Sequence, residues 1–217
     1  MNYKKYISEF IGTFFLVLVV CMVTLTKVQS DIQPIAIGVT LMVMIFAIGH
    51  LSGAHFNPAI SLAFFLRSKI TGMEFLFYAV AQIIGGVSAA FVALLLVSVK
   101  LKQIPLPFTD VPLFFGIGQA FAAEAIGTFA LTWVMLNVAT SKALDGNNFY
   151  GLAIGLTQTA MIYTFNSVSG GLFNPAIAAG LSAIQLINYQ NIWIYLLACP
   201  IGAAIAAYAF KFLNTED

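Results

Sequence analysis

The stretch Ser52-Gly53-Ala54-His55-Phe56-Asn57-Pro58-Ala59-Ile60 decides the fold, and the chain repeats its pattern as Ser169-Gly170-Gly171-Leu172-Phe173-Asn174-Pro175-Ala176-Ile177. Asparagine is a good N-cap, because its side-chain oxygen accepts a backbone N–H that the first helical turn leaves unpaired. Proline suits the next position, where its missing N–H would have had no partner. Each stretch therefore predicts a glycine-containing bend followed by the start of a helix.

The composition is that of a membrane protein. Of 217 residues, 61% are hydrophobic and 8% are charged, whereas soluble domains are about a quarter charged. The formal net charge of +1 gives no electrostatic case for a nucleic-acid partner. Both Asn-Pro-Ala boxes lie between strongly apolar segments. They therefore predict irregular backbone at membrane depth, which is tolerated only inside protein or beside a watery cavity.

Six apolar segments are long enough to span a bilayer, which takes about 20 residues. They cover roughly 7–26, 34–51, 75–99, 115–139, 150–168 and 192–213. Each box is followed by an apolar run too short to span, Ala59 to Leu66 and Ala176 to Leu186. The sequence thus predicts an all-α integral membrane protein with six transmembrane helices and two re-entrant half-helices. Three prolines mark the link between its halves: Pro105, Pro107 and Pro112.

The two halves, approximately 1–108 and 109–217, repeat one another within what we predict to be a single domain. Asn57 and Asn174 lie 117 residues apart, and the motif Glu-x-Ile-Gly-Thr-Phe occurs near the start of each half. Each copy has three spans, which is an odd number. The second copy therefore starts on the opposite side of the membrane and runs inverted. An inverted repeat brings the two half-helices tip to tip near the midplane.

Basic residues support one orientation of this topology. With the N-terminus inside, six lysines and arginines are cytoplasmic: Lys4, Lys5, Arg67, Lys69, Lys142 and Lys211. Three are then outside: Lys27, Lys100 and Lys102. This excess agrees with the positive-inside tendency. We therefore expect a multi-pass protein of the cell (plasma or inner) membrane, with both termini cytoplasmic.

Two Asn-Pro-Ala boxes, one in each half, resemble the aquaporin and glycerol-facilitator family (major intrinsic proteins). The stretch Gly49-His50-Leu51-Ser52-Gly53-Ala54-His55-Phe56-Asn57-Pro58-Ala59 looks very like the first box of that family, and the resemblance covers essentially the whole chain. It implies a homotetramer in a lipid bilayer, with one pore per subunit. It also implies passive conduction of water and small uncharged solutes, without a cofactor, a bound metal or an enzymatic activity.

The boxes are the predicted centre of the pore. Each half-helix N-terminus carries about half a positive charge and several free N–H donors. Two such ends facing one another repel cations, whereas neutral molecules pass. The expected pore motifs are Asn57, Pro58, Ala59, Asn174, Pro175 and Ala176. Alternatively the asparagines only cap their helices, and the two roles are compatible.

Glu9 and Glu124 lie within spanning helices, where a charge is costly unless it is paired. The resemblance implies that each carboxylate accepts N–H bonds from the loop leading into a half-helix. A proton-relay role is the alternative, but it lacks a basic partner. We interpret His50 and His55 as loop-bracing or vestibule groups rather than metal ligands. Two glycines at matched positions are predicted to let helices cross closely: Gly38 and Gly155.

The selectivity filter is where the sequence departs from the family pattern. Family members usually carry an arginine directly after the second Asn-Pro-Ala, and that position here is Ile177. Counting from the boxes, the other three constriction positions are Ile37, Ile162 and Gly171. This ring has no charge, no ring nitrogen and no aromatic side chain. It predicts an unusually apolar filter that admits glycerol-sized solutes and lacks one barrier to cations.

Two other classes of protein remain as alternatives. A secondary transporter is the first, because inverted repeats with broken helices also build those proteins. Coupled transport would require carboxylates facing a cavity at the midplane, and only Glu9 and Glu124 are candidates. An intramembrane enzyme is the second, but the spans contain no Ser–His, paired-Asp or His-Glu-x-x-His arrangement.

Overall fold

The structure is a computed structural model that describes residues 3–29, 31–98 and 116–215. Within these ranges it contains eight α-helices: α1 Tyr3–Leu25, α2 Gln33–Ser52, α3 Pro58–Leu66, α4 Gly72–Val97, α5 Ile117–Thr140, α6 Tyr150–Ser169, α7 Pro175–Ala183 and α8 Ile192–Leu213. Two short 3₁₀ turns, Lys142–Leu144 and Tyr189–Asn191, precede α6 and α8. The prolines predicted to link the halves, Pro105, Pro107 and Pro112, lie outside the described residues.

Six of the helices are long and two are short, as the apolar segments predict. The long helices have 20 to 26 residues, and at 1.5 Å per residue they reach about 30 Å or more, the thickness of the hydrocarbon core. Five of them are also apolar enough to cross a membrane. Helix α6 has the length of α2 but does not meet that criterion. It carries more polar side chains, among them Gln158 and Asn166.

The short helices α3 and α7 have nine residues each. The predicted run to Leu186 is too long for α7, which ends at Ala183. Gln185 adopts a left-handed conformation with φ of 62°, and the backbone N–H of Leu186 returns to the carbonyl of Leu181 at 2.8 Å. A left-handed residue with a bond back into the last turn is a common helix terminator. The apolar pattern continues past this stop, so it does not mark the helix end.

The long helices pack closely because small residues lie where they cross. Helix α1 packs on α4, α5 on α8, and α2 on α6. A Cβ atom on Gly38 would lie 2.4 Å from the carbonyl oxygen of Gly155, and one on Gly155 would lie 2.5 Å from that of Gly38. No side chain fits between the two backbones there. Equivalent approaches occur where α4 meets α1 at Gly85 and α8 meets α5 at Gly202.

The loops before the short helices α3 and α7 also pack against glycines of the long helices. The buried ring of Phe56 lies against Gly12 of α1, and that of Phe173 lies against Gly127 of α5. A Cβ atom on either glycine would come within about 2 Å of the ring, at 2.0 and 2.1 Å. The glycine of the repeated motif therefore makes room for the phenylalanine of each box.

Candidate pore

The asparagine of each box caps the short helix that follows it. The Oδ1 atom of Asn57 accepts the backbone N–H of Ala59 at 2.9 Å, and that of Asn174 accepts the N–H of Ala176 at 2.9 Å. Both asparagines have extended backbone, and a proline opens the helix in each case. Local sequence therefore fixes both helix starts, as N-cap chemistry predicts.

The same two side chains join the halves of the molecule. The Nδ2 group of Asn57 donates to the carbonyl of Phe173 at 2.8 Å, and that of Asn174 donates to the carbonyl of Phe56 at 2.9 Å. The N-termini of α3 and α7 therefore meet. An amide nitrogen carries two hydrogens, so one hydrogen of each asparagine is left for another acceptor. Both asparagines line the same central cavity.

Glu9 holds the loop before α3. Its Oε1 accepts Ser52 Oγ at 2.6 Å and the backbone N–H of His55 at 3.0 Å. Its Oε2 accepts the backbone N–H of Phe56 at 2.7 Å and Gln82 Nε2 at 2.7 Å. The side chain is fully buried, and four donors surround it, so this carboxylate is a structural acceptor in the present arrangement.

Glu124 makes the matching contacts before α7. Its Oε1 accepts Ser169 Oγ at 2.7 Å and the N–H of Leu172 at 3.0 Å. Its Oε2 accepts the N–H of Phe173 at 2.6 Å, and the thiol of Cys199 lies 3.6 Å away. The second half thus replaces an amide donor with a thiol, which is a weak donor.

The two histidines lie in different places. His55 is buried, its Nδ1 is 3.1 Å from Ser61 Oγ, and its ring lies 4.1 Å from that of Phe64. It lines both the central cavity and a larger vestibule. His50 is exposed and lines only the vestibule. Within residues 3–29, 31–98 and 116–215, no three His, Cys, Asp or Glu side chains are grouped to hold a metal ion.

Three cavities follow one another along the boxes. The vestibule measures about 710 Å³, the central cavity about 10 Å³ and a third, the filter cavity, about 30 Å³. On this scale about 10–15 Å³ holds one water molecule. The vestibule and the central cavity share His55 and Ile154, and the central and filter cavities share Gln158 and Ile177. Because neighbouring cavities share lining residues, the three lie in a row from the vestibule to the filter cavity. We call this row of cavities the path.

The walls supplied by α2 and α6 show how the repeat is inverted. Along α2 every fourth residue lines the path from the filter cavity to the vestibule: Gln33, Ile37, Leu41 and Ile45. Along α6 the order is reversed: Ile154, Gln158, Ile162 and Asn166. Ile37 and Ile154, which are 117 residues apart, thus lie at opposite ends, whereas Leu41 and Gln158 both lie at the centre. An inverted repeat requires this exchange of ends.

The four positions predicted for the filter lie together around the filter cavity: Ile37, Ile162, Gly171 and Ile177. Gly171 has φ of 62°, a left-handed conformation that suits glycine. The same cavity has polar walls that the sequence interpretation missed, from Thr24, Gln33, Gln158 and Asn166. Gln158 and Asn166 lie two turns apart on one face of α6, alternating with Ile154 and Ile162; this was a usable signal, but it required knowing which face of α6 is turned inward.

Comparison with known proteins identifies the family. A family model described as "Major intrinsic protein" matches residues 1–210. A protein named glycerol uptake facilitator protein-like 6, from Lactiplantibacillus plantarum, is 36% identical over 99% of this chain and 100% of its own length. Aquaporin NIP1-1 of Arabidopsis thaliana is 35% identical over 99% of this chain and 75% of its own length.

Comparison with solved structures gives the same result for the fold. The X-ray structure of the aquaglyceroporin from Plasmodium falciparum superposes with a TM-score of 0.84, covering 97% of this chain and 96% of that chain at 23% sequence identity. The predicted fold class, six long helices and two half-helices of the aquaporin type, is therefore confirmed. The family predicted from the two boxes is confirmed as well. The chain belongs to the major intrinsic protein family, whose members are multi-pass membrane channels.

Proposed function

We propose that this protein is a passive channel for water and small uncharged solutes, which move along the path between the vestibule and the filter cavity. The observation that carries the proposal is the meeting of α3 and α7, whose capping asparagines both line the central cavity. Family members are passive channels and not enzymes. The similarity to a glycerol uptake facilitator and to an aquaporin supports water, glycerol or both as solutes.

The central cavity would favour neutral molecules over cations. Two helix N-termini point at it, and each carries about half a positive charge. Each asparagine oxygen already accepts a backbone N–H of its helix, whereas each NH₂ group keeps one hydrogen for a passing solute. A cation would lose its hydration there and meet two positive helix ends, which makes its passage unfavourable.

The filter cavity would set the size limit. Ile37, Ile162, Gly171 and Ile177 supply the narrow ring in this proposal, and no arginine spans it. The filter cavity of about 30 Å³ holds no more than a few water molecules. However, an isoleucine side chain can change rotamer without breaking a hydrogen bond, whereas a bound guanidinium cannot. We therefore propose that glycerol-sized solutes also pass.

The proposal extends to the orientation of the protein in the membrane and to its assembly. Lys5, Lys69 and Lys142 line the vestibule, and the positive-inside tendency supports a vestibule on the cytoplasmic side. Both termini would then be cytoplasmic in a plasma or inner membrane. Large apolar side chains such as Leu95 and Phe212 are 77% and 80% exposed, as expected for contact with lipid or with neighbouring subunits. We propose a homotetramer with one pore per subunit, built from the inverted repeats at about 1–108 and 109–217.

A coupled transporter is less well supported. The carboxylates of Glu9 and Glu124 are already surrounded by donors from the loops and neighbouring helices. Neither residue is among those that line the three cavities. A carboxylate that loads and releases a proton or a sodium ion would need access to the path.

Stopped-flow light scattering on proteoliposomes tests the proposal. We expect water, glycerol and urea to equilibrate faster than across protein-free vesicles, in proportion to their gradients and independently of any proton or sodium gradient. Saturating flux that follows an imposed proton or sodium gradient would instead identify a transporter. Vesicles no faster than the protein-free control for all three solutes would contradict channel activity.

A further inference from the structure

The side chain of Gln158 stands apart from the rest of the central wall. Its exposed fraction is 3%, and it lines both the central cavity and the filter cavity. It makes no hydrogen bond with any residue that the structure describes, in contrast to Gln82, which donates to Glu9 and Ser61. Its amide atoms are also not among the buried polar atoms sealed off without a partner. An unpartnered amide is therefore turned toward the path.

The position has an apolar counterpart in the other half. Leu41 lies 117 residues earlier, is equally buried and lines the same central cavity. The preceding residues correspond as well, because Thr40 and Thr157 each donate to the carbonyl four residues back. The glutamine is therefore a local difference between two otherwise matched helix faces, and the helical scaffold does not require it.

Gln158 supplies an acceptor that the helix caps do not use. The oxygens of Asn57 and Asn174 each accept a backbone N–H of their own helix, whereas the oxygen of Gln158 accepts no bond from the described residues. A free glutamine amide offers one carbonyl acceptor and two N–H donors. On the filter side its neighbours one turn away and across the cavity are Ile162, Ile37 and Ile177. A solute loses hydrogen bonds to water where it contacts these isoleucines. The carbonyl oxygen of Gln158 can accept a hydrogen bond from the N–H or O–H groups of that solute.

We propose that Gln158 is a specificity-determining residue of the pore, and that it selects small neutral solutes that both donate and accept hydrogen bonds, such as urea and glycerol. The proposal rests on the proposed channel function and assigns to that pore an uncharged hydrogen-bonding group that lines both the central cavity and the filter cavity. Because the amide is uncharged, it attracts polar solutes without adding an electrostatic barrier.

The test exchanges the two matched positions. Permeabilities to water, urea and glycerol are measured by stopped flow for the parent, for Gln158→Leu, and for the double variant Gln158→Leu/Leu41→Gln. We expect Gln158→Leu to lower the urea-to-water and glycerol-to-water ratios by about fivefold or more, a loss comparable to one ordinary hydrogen bond. The double variant should regain most of both ratios, since it returns one amide to the same cavity from the opposite wall.

The outcomes separate the two proposals. If the parent passes urea and glycerol and Gln158→Leu keeps or raises both ratios, the role of Gln158 is wrong and the channel function stands. A double variant with ratios as low as Gln158→Leu would also overturn it, because the loss would then reflect packing. Should Gln158→Leu fail to fold, Gln158→Met, which keeps the side-chain length, replaces it with the same expectation. A parent no faster than protein-free vesicles overturns the channel function and this inference together.

Discussion

Glu9 and Glu124 are the residues on which the geometry of both boxes depends. Replacing either by glutamine turns one acceptor oxygen into an NH₂ group that faces two donors. Each charged hydrogen bond lost costs about 1.5–3 kcal/mol. We expect Glu9→Gln and Glu124→Gln to lower the thermal unfolding midpoint in detergent. The effect should be larger at Glu9, which accepts four bonds from oxygen and nitrogen donors.

Glu74 provides the matched control for this measurement. It belongs to a capping box with Thr71 and pairs with Lys5 at a partly exposed site, and glutamine can also complete a capping box. Glu74→Gln should therefore change the midpoint little. Unchanged stability in Glu9→Gln and Glu124→Gln, together with a lost pH dependence of transport, would support the proton-relay alternative.

Ile177 is the second residue whose replacement is informative. An arginine there would place five donors and a full charge beside Ile37 and Ile162. We expect Ile177→Arg to reduce glycerol and urea permeability much more than water permeability, since the guanidinium narrows the ring while hydrogen-bonding to water. Ile177→Leu, which keeps the volume and polarity, serves as the control. A parent that already rejects both solutes, with a profile unchanged in Ile177→Arg, would locate the filter elsewhere.

At the scale of helices, the crossing of α2 and α6 depends on the absence of side chains at Gly38 and Gly155. A Cβ atom at Gly38 would lie 1.9 Å from Thr159 Oγ1 and 2.4 Å from the carbonyl of Gly155. Forcing a methyl group into such a contact typically costs about 1–3 kcal/mol. We expect Gly38→Ala to lower the unfolding midpoint clearly, whereas Gly118→Ala, with nothing within 4 Å of the new atom, should not. Equal midpoints for the two variants would show that the crossing can relax.

The helices themselves could be predicted from sequence because long apolar runs and Asn-Pro caps are local signals. The repeat then predicted which elements correspond, and hence that α3 and α7 meet. Three features could not be found this way. The bonds from Asn57 and Asn174 to the opposite backbone are contacts between distant residues, the end of α7 depends on one left-handed residue, and the exposure of Gln158 to the path depends on the rotation of α6.

At the scale of the whole molecule, the path runs from a wide vestibule to a narrow filter cavity, and its centre is formed by both halves. The asparagine amides and two helix N-termini meet there, so we propose that the barrier to cations and the route for neutral solutes occupy the same place. The central claim is that neutral solutes and ions are separated at this point. It follows that a change at the asparagines should affect ions without closing the path.

The most direct test measures glycerol entry and proton flux in the same proteoliposomes, by light scattering and an enclosed pH-sensitive dye. The parent should admit glycerol well above the protein-free level while its proton flux stays at that level. Asn57→Asp/Asn174→Asp keeps good N-caps, loses the two bonds to the carbonyls of Phe173 and Phe56, and places carboxylates against the helix N-termini. In the folded variant, proton flux should therefore rise while glycerol still enters. Two results would contradict the account. One is a proton flux that rises with glycerol flux in the parent. The other is a proton flux at the protein-free level in a double variant that folds and conducts glycerol.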